Sequence, residues 1–435
     1  MNNKPKLGLI FFPAFDWQIS PTHPEREERL LYTLDQIKEE GLEDLNEIAF
    51  FNPSVASIKD IKRVHFIYPS VKAILTDSHF ISSGAAIKAA DLVMTKQTKK
   101  AFSLTRPPGH HAQSVVYGDR GFCVVNNEAV MIEYIRQKYS NLKVAIIDTD
   151  AHHGDGTQDI FYNDKNTLFV SIHQDPRTLY PGTGRIDELG TPNAFGYNIN
   201  IPLPPNTGDE GYLYVINNLV LPILEDFKPD LIINSAGQDN HYSDPLTNMN
   251  LSARGYAQLN ELLNPDIAVL EGGYSIEGAL PYTNVAIILA MIGLDYSKVI
   301  EPNFSEDKIL QKEEITNYIK NLVDKILYIW KNKETLKKEK YPKQDVYTFK
   351  RNVYYDTSNI YEEQTRSYYY CPNCSGLHTI ESTNDKNIRI FAISIPIDSC
   401  QLCLNKGKKL YDKISSNKYD RVYLQNKTED IYLEK

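Results

Sequence analysis

No stretch of this chain approaches the roughly 20 consecutive apolar residues that a membrane-spanning helix needs. The first apolar run, Leu7 to Phe12, ends after six residues at Pro13 without a small-residue cleavage site, so it is no secretion signal. Cysteine is scarce, with 5 in 435 residues, which excludes a disulfide-built scaffold. There is no repeat of a roughly 20–50-residue period, which excludes solenoids and propellers. Basic residues are the minority, 47 against 56 acidic, for a net charge of −9. That deficit argues against non-specific nucleic-acid binding by the main body and is compatible with cationic substrates. A cytoplasmic enzyme or binding protein without a membrane partner is the expectation.

The charge is unevenly spread. Residues 340–435 carry 15 Lys and Arg against 12 Asp and Glu, a balance of +3, and hold 12 of the 29 tyrosines. Single cores stop growing near roughly 250–300 residues, so the length and this shift divide the chain into a main domain, 1–335, and a C-terminal one, 336–435. In the first, the apolar runs LGLIFF, AFSL, VAIID, TLFVSI, DLIINSA and DIAVLE alternate with segments of helical periodicity. Those segments are EREERLLYTLDQIKEE, SSGAAIKAADLVMTK, NNEAVMIEYIRQKY and EGYLYVINNLVLPILEDF, with 313–334 as the closing helix. The pattern predicts an α/β fold: an open, mostly parallel sheet with helices on both faces.

In such sheets ligands bind at the carboxyl ends of the strands. Five apolar runs here lead into polar residues: Arg106-Pro-Pro-Gly-His110-His111; Asp148-Thr-Asp150-Ala-His152-His153-Gly-Asp155; His173; Gly-Gln-Asp239; and Gly272-Gly273-Tyr274. One convergent polar site is expected. Asp150 and His152 are two apart, so at a strand end their side chains share a face, and with Asp239 they offer three ligands and open positions to a divalent metal such as Zn²⁺. Taken alone, an Asp-x-His is commonly a loop or helix cap. The His110-His111 pair beside a metal could act as general base and acid, and Tyr274 could donate to a developing oxyanion.

The segments THPEREERL, RPPGHHA, GFCVVNN, DTDAHHGDGTQDIFY, VSIHQDPRTLYPGTG, SAGQDNHYSDPL and LEGGYS together resemble the histone deacetylase and acetylpolyamine amidohydrolase superfamily, collinearly from about residue 7 to about 335. The resemblance implies an arginase/deacetylase-like sheet and a zinc-dependent amidohydrolase acting on an N-acyl lysine, with an acetylated polyamine as the alternative substrate. It implies Asp150, His152 and Asp239 as zinc ligands, Asp148 and Asp155 as partners of His110 and His111, and Tyr274 on the carbonyl oxygen. Gly121, Phe122, Tyr180, Leu246 and Gly273 would border a narrow channel. A potassium ion is implied at Asp148, Asp150, His152, Ser171 and Ile172, and a second at Phe161, Asp164, Thr167 and Tyr197. No long insertion separates VHFIYPS from RPPGHHA, whereas the polyamine-specific members narrow the channel with added loops, which favours acyl-lysine peptides or proteins. An arginase-like bimetallic ureohydrolase is the more distant alternative.

Cys371-x-x-Cys374 and Cys400-x-x-Cys403 lie outside that resemblance. Their spacing reads as a four-thiolate zinc site, a zinc ribbon with two turns clamping the metal and IRIFAISIPI as a strand between them; iron in a rubredoxin-like manner is the chemical rival. Cys123 reads as a packing residue. The basic, tyrosine-rich C-terminal domain would suit a protein or nucleic-acid partner. On that view, deleting residues 340–435 leaves turnover of a small acyl-lysine intact.

Overall fold

The computed structural model describes residues 4–435. Eight strands form its central sheet: β1 Leu7–Phe12, β2 Ile48–Phe51, β3 Lys100–Thr105, β4 Val144–Asp148, β5 Thr167–Gln174, β6 Asn198–Leu203, β7 Leu231–Ala236 and β8 Ile267–Leu270. Every pairing is parallel, in the order β2-β1-β3-β8-β7-β4-β5-β6. Strands β3 to β5, β7 and β8 are apolar and buried nearly throughout, because helices cover both faces. Two strands not singled out from the sequence, β2 and β6, are the edges. The first is only four residues, IAFF, and the second, NINIPL, interrupts its apolar residues with asparagines although it is buried throughout.

The helices that matter for the site are α1 Glu28–Glu39, α2 Asp77–Met94, α3 Asn127–Lys138, α4 Asp155–Phe161, α5 Ala253–Leu263, α6 Leu280–Ile292 and α7 Glu313–Lys331. The helix expected over 210–227 is interrupted by a π-helical stretch, Ile216–Val220, just before Pro222. Proline has no N–H to donate, and widening the turn accommodates that loss. No helix among the described residues is long and apolar enough to cross a membrane.

The C-terminal domain is a six-stranded sheet: β9 Val346–Tyr355, β10 Ile360–Tyr369, β11 Leu377–Asn384, β12 Arg389–Ile395, β13 Arg421–Asn426 and β14 Ile431–Glu434, in that order. The first four form an antiparallel meander, and helix α8, Gln401–Lys413, makes the parallel crossover from β12 to β13. IRIFAISIPI supplies β12, as its alternation predicts. The second cysteine pair, however, opens α8 instead of forming a turn. Cys403, Leu404, Gly407 and Tyr411 bury one stripe of that helix, and the burial of this stripe overrides the turn.

This sheet lies against the main domain. Val353, Tyr355, Ile360, Ile380, Ile390 and Tyr423 share one apolar cluster with Phe66, Val115 and Tyr117. The tyrosine hydroxyls that suggested an external partner are used here: Tyr355 donates to the Val115 carbonyl (2.8 Å) and Tyr423 to that of Ile67 (2.7 Å). So are two arginines. Arg351 and Arg366 both reach Asp159 on α4, at 2.8 and 2.6 Å, and Asp159 is buried. Burial alone would raise the Asp159 pKa, but the two guanidinium groups outweigh it and hold it below the usual range.

Two predictions follow from this interface. Removing residues 340–435 uncovers an apolar cluster and a buried carboxylate, so a truncated chain is expected to aggregate, contrary to the independence expected from composition. Arg366→Leu is expected to lower stability by about 3–5 kcal/mol at neutral pH, read from denaturant midpoints. A carboxylate with a depressed folded pKa contributes above its unfolded pKa and loses that contribution as pH falls. The Arg366→Leu deficit should therefore shrink below about pH 4.

Candidate active site

The four adjacent central strands, β3, β8, β7 and β4, end beside one another, which brings RPPGHH, EGGY, GQD and DTDAHH together. Glycine makes the approach possible. A Cβ at Gly272 would collide with carboxylate oxygens of both Asp239 and Asp150, and one at Gly237 with Asp150.

Asp150, His152 and Asp239 are buried with one ligating atom from each within 4.8 Å of the others. His152 Nδ1 is 2.9 Å from Asp239 Oδ2 and 3.1 Å from Asp150 Oδ1. Asp239 Oδ1 accepts the Ala151 N–H (2.7 Å), while Asp150 Oδ2 accepts that of Gly272 (2.8 Å). Burial opposes charge on His152, yet Asp239 and Asp150 raise it to about 10. The proton they trap neutralises the same charges that a cation would. Two oxygens and one nitrogen, buried and net negative, fit a divalent ion with positions left open.

The two histidines stand beside this set, their rings 4.1 Å apart. His110 Nδ1 is 3.1 Å from Asp148 Oδ2, and His111 Nδ1 is 2.8 Å from Asp155 Oδ1. Their titration differs. Burial disfavours charge on both, but Asp150 and Asp148 lift His110 well above its usual range, whereas burial and the neighbouring His110 push His111 down to about 3. Asp148 is raised to about 6 by burial; Asp155, despite burial, is held well below the usual range by Arg120 and His111.

Several supporting residues were not assigned from the sequence. Glu271 Oε2 accepts the N–H groups of Gly109 (2.8 Å) and His110 (3.1 Å), fixing the backbone of the histidine pair. Buried beside Glu128, Glu271 is pushed far above the carboxylate range by burial and by that second carboxylate. Asp244 Oδ2 accepts the Tyr274 N–H (2.7 Å); burial and Asp239 raise Asp244 to about 8. Arg29 donates to the carbonyls of Gly273 (2.8 Å) and Glu271 (2.5 Å), and its guanidinium carbon is 4.9 Å from the Tyr274 ring centroid. Glu25 pairs with both Arg29 (2.7 Å) and Arg106 (2.5 Å), all three buried. Their signal was charge placed where burial was expected: Glu271 closing DIAVLE, Arg106 behind AFSL, and Glu25 and Arg29 four apart in THPEREERL.

His173 does not join the centre. Its Nε2 meets the Gly184 carbonyl at 2.9 Å, and His153 beside it meets Thr183 at 2.8 Å, so this pair holds the loop after β5. Four strand ends, not five, converge.

Above the centre, the Tyr180 ring meets His111 edge-on at 5.2 Å, and Phe122 meets Tyr274 at 5.9 Å and His23 at 4.4 Å. Gly121 and Phe122 are both left-handed, with φ of 54° and 67°. A side chain at Gly121 would strike the His111 ring. Leu246 is 37% exposed, on the loop that Asp244 anchors through the Leu246 N–H (2.9 Å). Gly273 has φ 120°, a conformation that a side chain would strain. Of the monovalent-cation residues, Asp148 and Ser171 are register neighbours on β4 and β5, and Ile172 follows Ser171. The Asp164 carboxylate of the second set is engaged by Arg136 at 2.6 Å.

A second ligand cluster lies in the C-terminal domain. Cys371, Cys374, Cys400 and Cys403 bring four sulfurs within 4.8 Å of one another, without a disulfide. The Gly376 N–H points at Cys374 Sγ (3.3 Å), and the Cys403 N–H lowers Cys400 to about 7. Cys123 is buried and its thiol is pushed up by burial.

The family model "Histone deacetylase domain" matches residues 69–289. The chain is 44% identical over 336 residues to a "Probable deacetylase" of Archaeoglobus fulgidus, covering 71% of this chain and 92% of that one. It is 32% identical over 333 residues to "Acetoin utilization protein AcuC" of Bacillus subtilis, covering 68% and 84%. The crystal structure of the HDA15 HD domain superposes with a TM-score of 0.65 at 26% identity, covering 78% of this chain and 98% of that one. The C-terminal sheet lies outside the family match. With its parallel sheet, its Asp-His-Asp cluster and the paired histidines, the chain is a hydrolase of the histone deacetylase family.

Proposed function

We propose that this protein removes an acetyl or other acyl group from a lysine side-chain nitrogen, releasing the free amine and the acid. The observation that carries the reading is the buried Asp150–His152–Asp239 cluster lying next to two histidines with separate carboxylate partners, beneath an aromatic wall. These three residues would hold zinc, and the four cysteines a second, structural zinc. When bound at the first site, zinc supplies Lewis-acid polarisation of the amide carbonyl and acidifies water.

The chain's own groups do the rest. His111 is neutral with its Nδ1 directed at Asp155, which leaves Nε2 free to take a proton from the attacking water. His110, which Asp150 and Asp148 hold well above its usual range and whose Nδ1 faces Asp148, can deliver a proton to the leaving amine. Tyr274 has its pKa raised well above the usual phenol value by burial, so it remains a donor to the oxyanion. Tyr180 and Phe122 admit a methylene chain. Potassium at Asp148, Asp150, His152, Ser171 and Ile172 would brace β4 against β5.

An acetylated polyamine is the second substrate reading, since it presents the same acylated amine on a methylene chain. The bimetallic ureohydrolase reading has less support: a second ion needs paired aspartates on the later loop, where GQDNH offers only Asp239. Residues 336–435 form the second of the two domains in this reading.

Purified enzyme is expected to hydrolyse acyl-lysine peptides in preference to acetylpolyamines and to lose activity with chelator. Chelator-resistant activity in Asp150→Ala would overturn the assignment. Tyr274→Phe should lower kcat by about 10²–10³-fold with little change in KM. Metal analysis should find two zinc ions per chain. Asp239→Ala should remove one and Cys374→Ser the other, and iron in the cysteine-dependent equivalent would identify the rubredoxin-like alternative.

A further inference from the structure

The turn between β9 and β10, residues 356–359, reaches the rim of the channel. Asp356 Oδ1 accepts the Gly121 N–H (2.9 Å) and the Tyr180 hydroxyl (3.1 Å). Ser358 Oγ accepts the Asp119 N–H (2.8 Å). The loop carrying two consecutive left-handed residues, Gly121 and Phe122, is thus fixed from outside at two backbone positions. Such conformations persist only where surroundings enforce them.

The contacts continue inward. The Tyr180 hydroxyl donates to Asp356 and accepts from Arg120 (2.9 Å). Arg120 grips both oxygens of Asp155, at 3.1 and 2.8 Å, and Asp155 holds His111 at 2.8 Å. A second route begins at the middle of β9. Arg351 donates to Gln113 Oε1 (2.5 Å), and Gln113 Nε2 donates to Asp155 Oδ2 (2.9 Å). Both routes start in the C-terminal domain and end at the carboxylate that orients one catalytic histidine.

We propose that the C-terminal domain is a working part of the active site and that Asp356 is a positioning residue for the channel wall and the Asp155–His111 pair. The proposal rests on the deacylase reading for its kinetic consequence, but its geometry does not. Tyr180 is the element through which Asp356 acts: its ring stands against His111, and its one hydroxyl proton is committed to Asp356. Losing the acceptor frees the ring and slackens Arg120. The isosteric amide of asparagine keeps an acceptor oxygen in the same place, whereas alanine keeps none.

The test compares wild type, Asp356→Ala, Asp356→Asn and Tyr180→Phe, each as the full-length zinc-loaded chain. Selective ¹⁵N-histidine labelling follows the His111 Nδ1 proton by NMR, and steady-state kinetics use an acyl-lysine peptide. In Asp356→Ala the His111 resonance should shift or exchange-broaden and kcat should fall about 10–100-fold with unchanged metal content, the scale expected of misplacement. Asp356→Asn should restore both, and Asp356→Ala/Tyr180→Phe should be no worse than its worse single variant. An unchanged His111 resonance and kcat in Asp356→Ala would overturn the proposal, as would a loss that Asn does not rescue and that tracks thermal midpoint or metal content. Should wild type hydrolyse no acyl amide, the function reading fails. The resonance still decides the positioning role.

Discussion

Burying carboxylates at one edge of a parallel sheet is the constraint on which this molecule depends. Asp148, Asp150, Asp239, Glu128 and Glu271 all lie within a dry region at the strand ends, where an uncompensated charge is intolerable. Each is answered differently. Asp148 receives a histidine ring, Glu271 is pushed far above the carboxylate range by burial beside Glu128, and Asp150 and Asp239 share a charged imidazole. The last pair is the least settled, because one imidazolium between two carboxylates is what a divalent ion replaces. On the zinc reading proposed above, metal affinity would follow from how the sheet is compensated and would not be a separate feature laid on it.

The same requirement explains why the two domains are inseparable. Helix α4 begins at Asp155, the carboxylate that holds His111, and carries Asp159 one turn later. Asp155 is met by Arg120 from the main domain, but Asp159 is met by Arg351 and Arg366 from the C-terminal sheet. The helix that aims the His111 partner is thus neutralised half from each domain. Composition suggested an appendage with +3 charge for an outside partner; two of its arginines, Arg351 and Arg366, are engaged inside.

Much of the central sheet was legible because a parallel sheet buried on both faces writes itself as continuous apolar runs, and VAIID and DLIINSA admit few other readings. The ligands were legible because they follow those runs immediately. What sequence concealed was compensation at a distance. Nothing near Asp159 announces Arg351, 192 positions on, and nothing near Tyr180 announces Asp356. Charge within apolar motifs, as at Glu271 and Arg106, was the available clue that a partner existed, without saying where. The edge strands β2 and β6 were hidden for another reason: β2 is only the four residues IAFF, and β6 interleaves Asn198 and Asn200 with its apolar residues although all six are buried.

The choice of a hairpin for the rim has a mechanical logic. Strand β10 spans Ile360 to Tyr369, about 30 Å at the usual rise, with the turn that touches the channel at one end and Cys371 just beyond the other. A free loop of similar reach would pay for each contact at the channel in conformational entropy. A strand hydrogen-bonded on both sides, by β9 and β11, and closed beyond its far end by a four-cysteine cluster has already lost that freedom. The cysteines need not approach substrate to matter to it: by ending the sheet firmly they let Asp356 arrive at Gly121 and Tyr180 with its position decided.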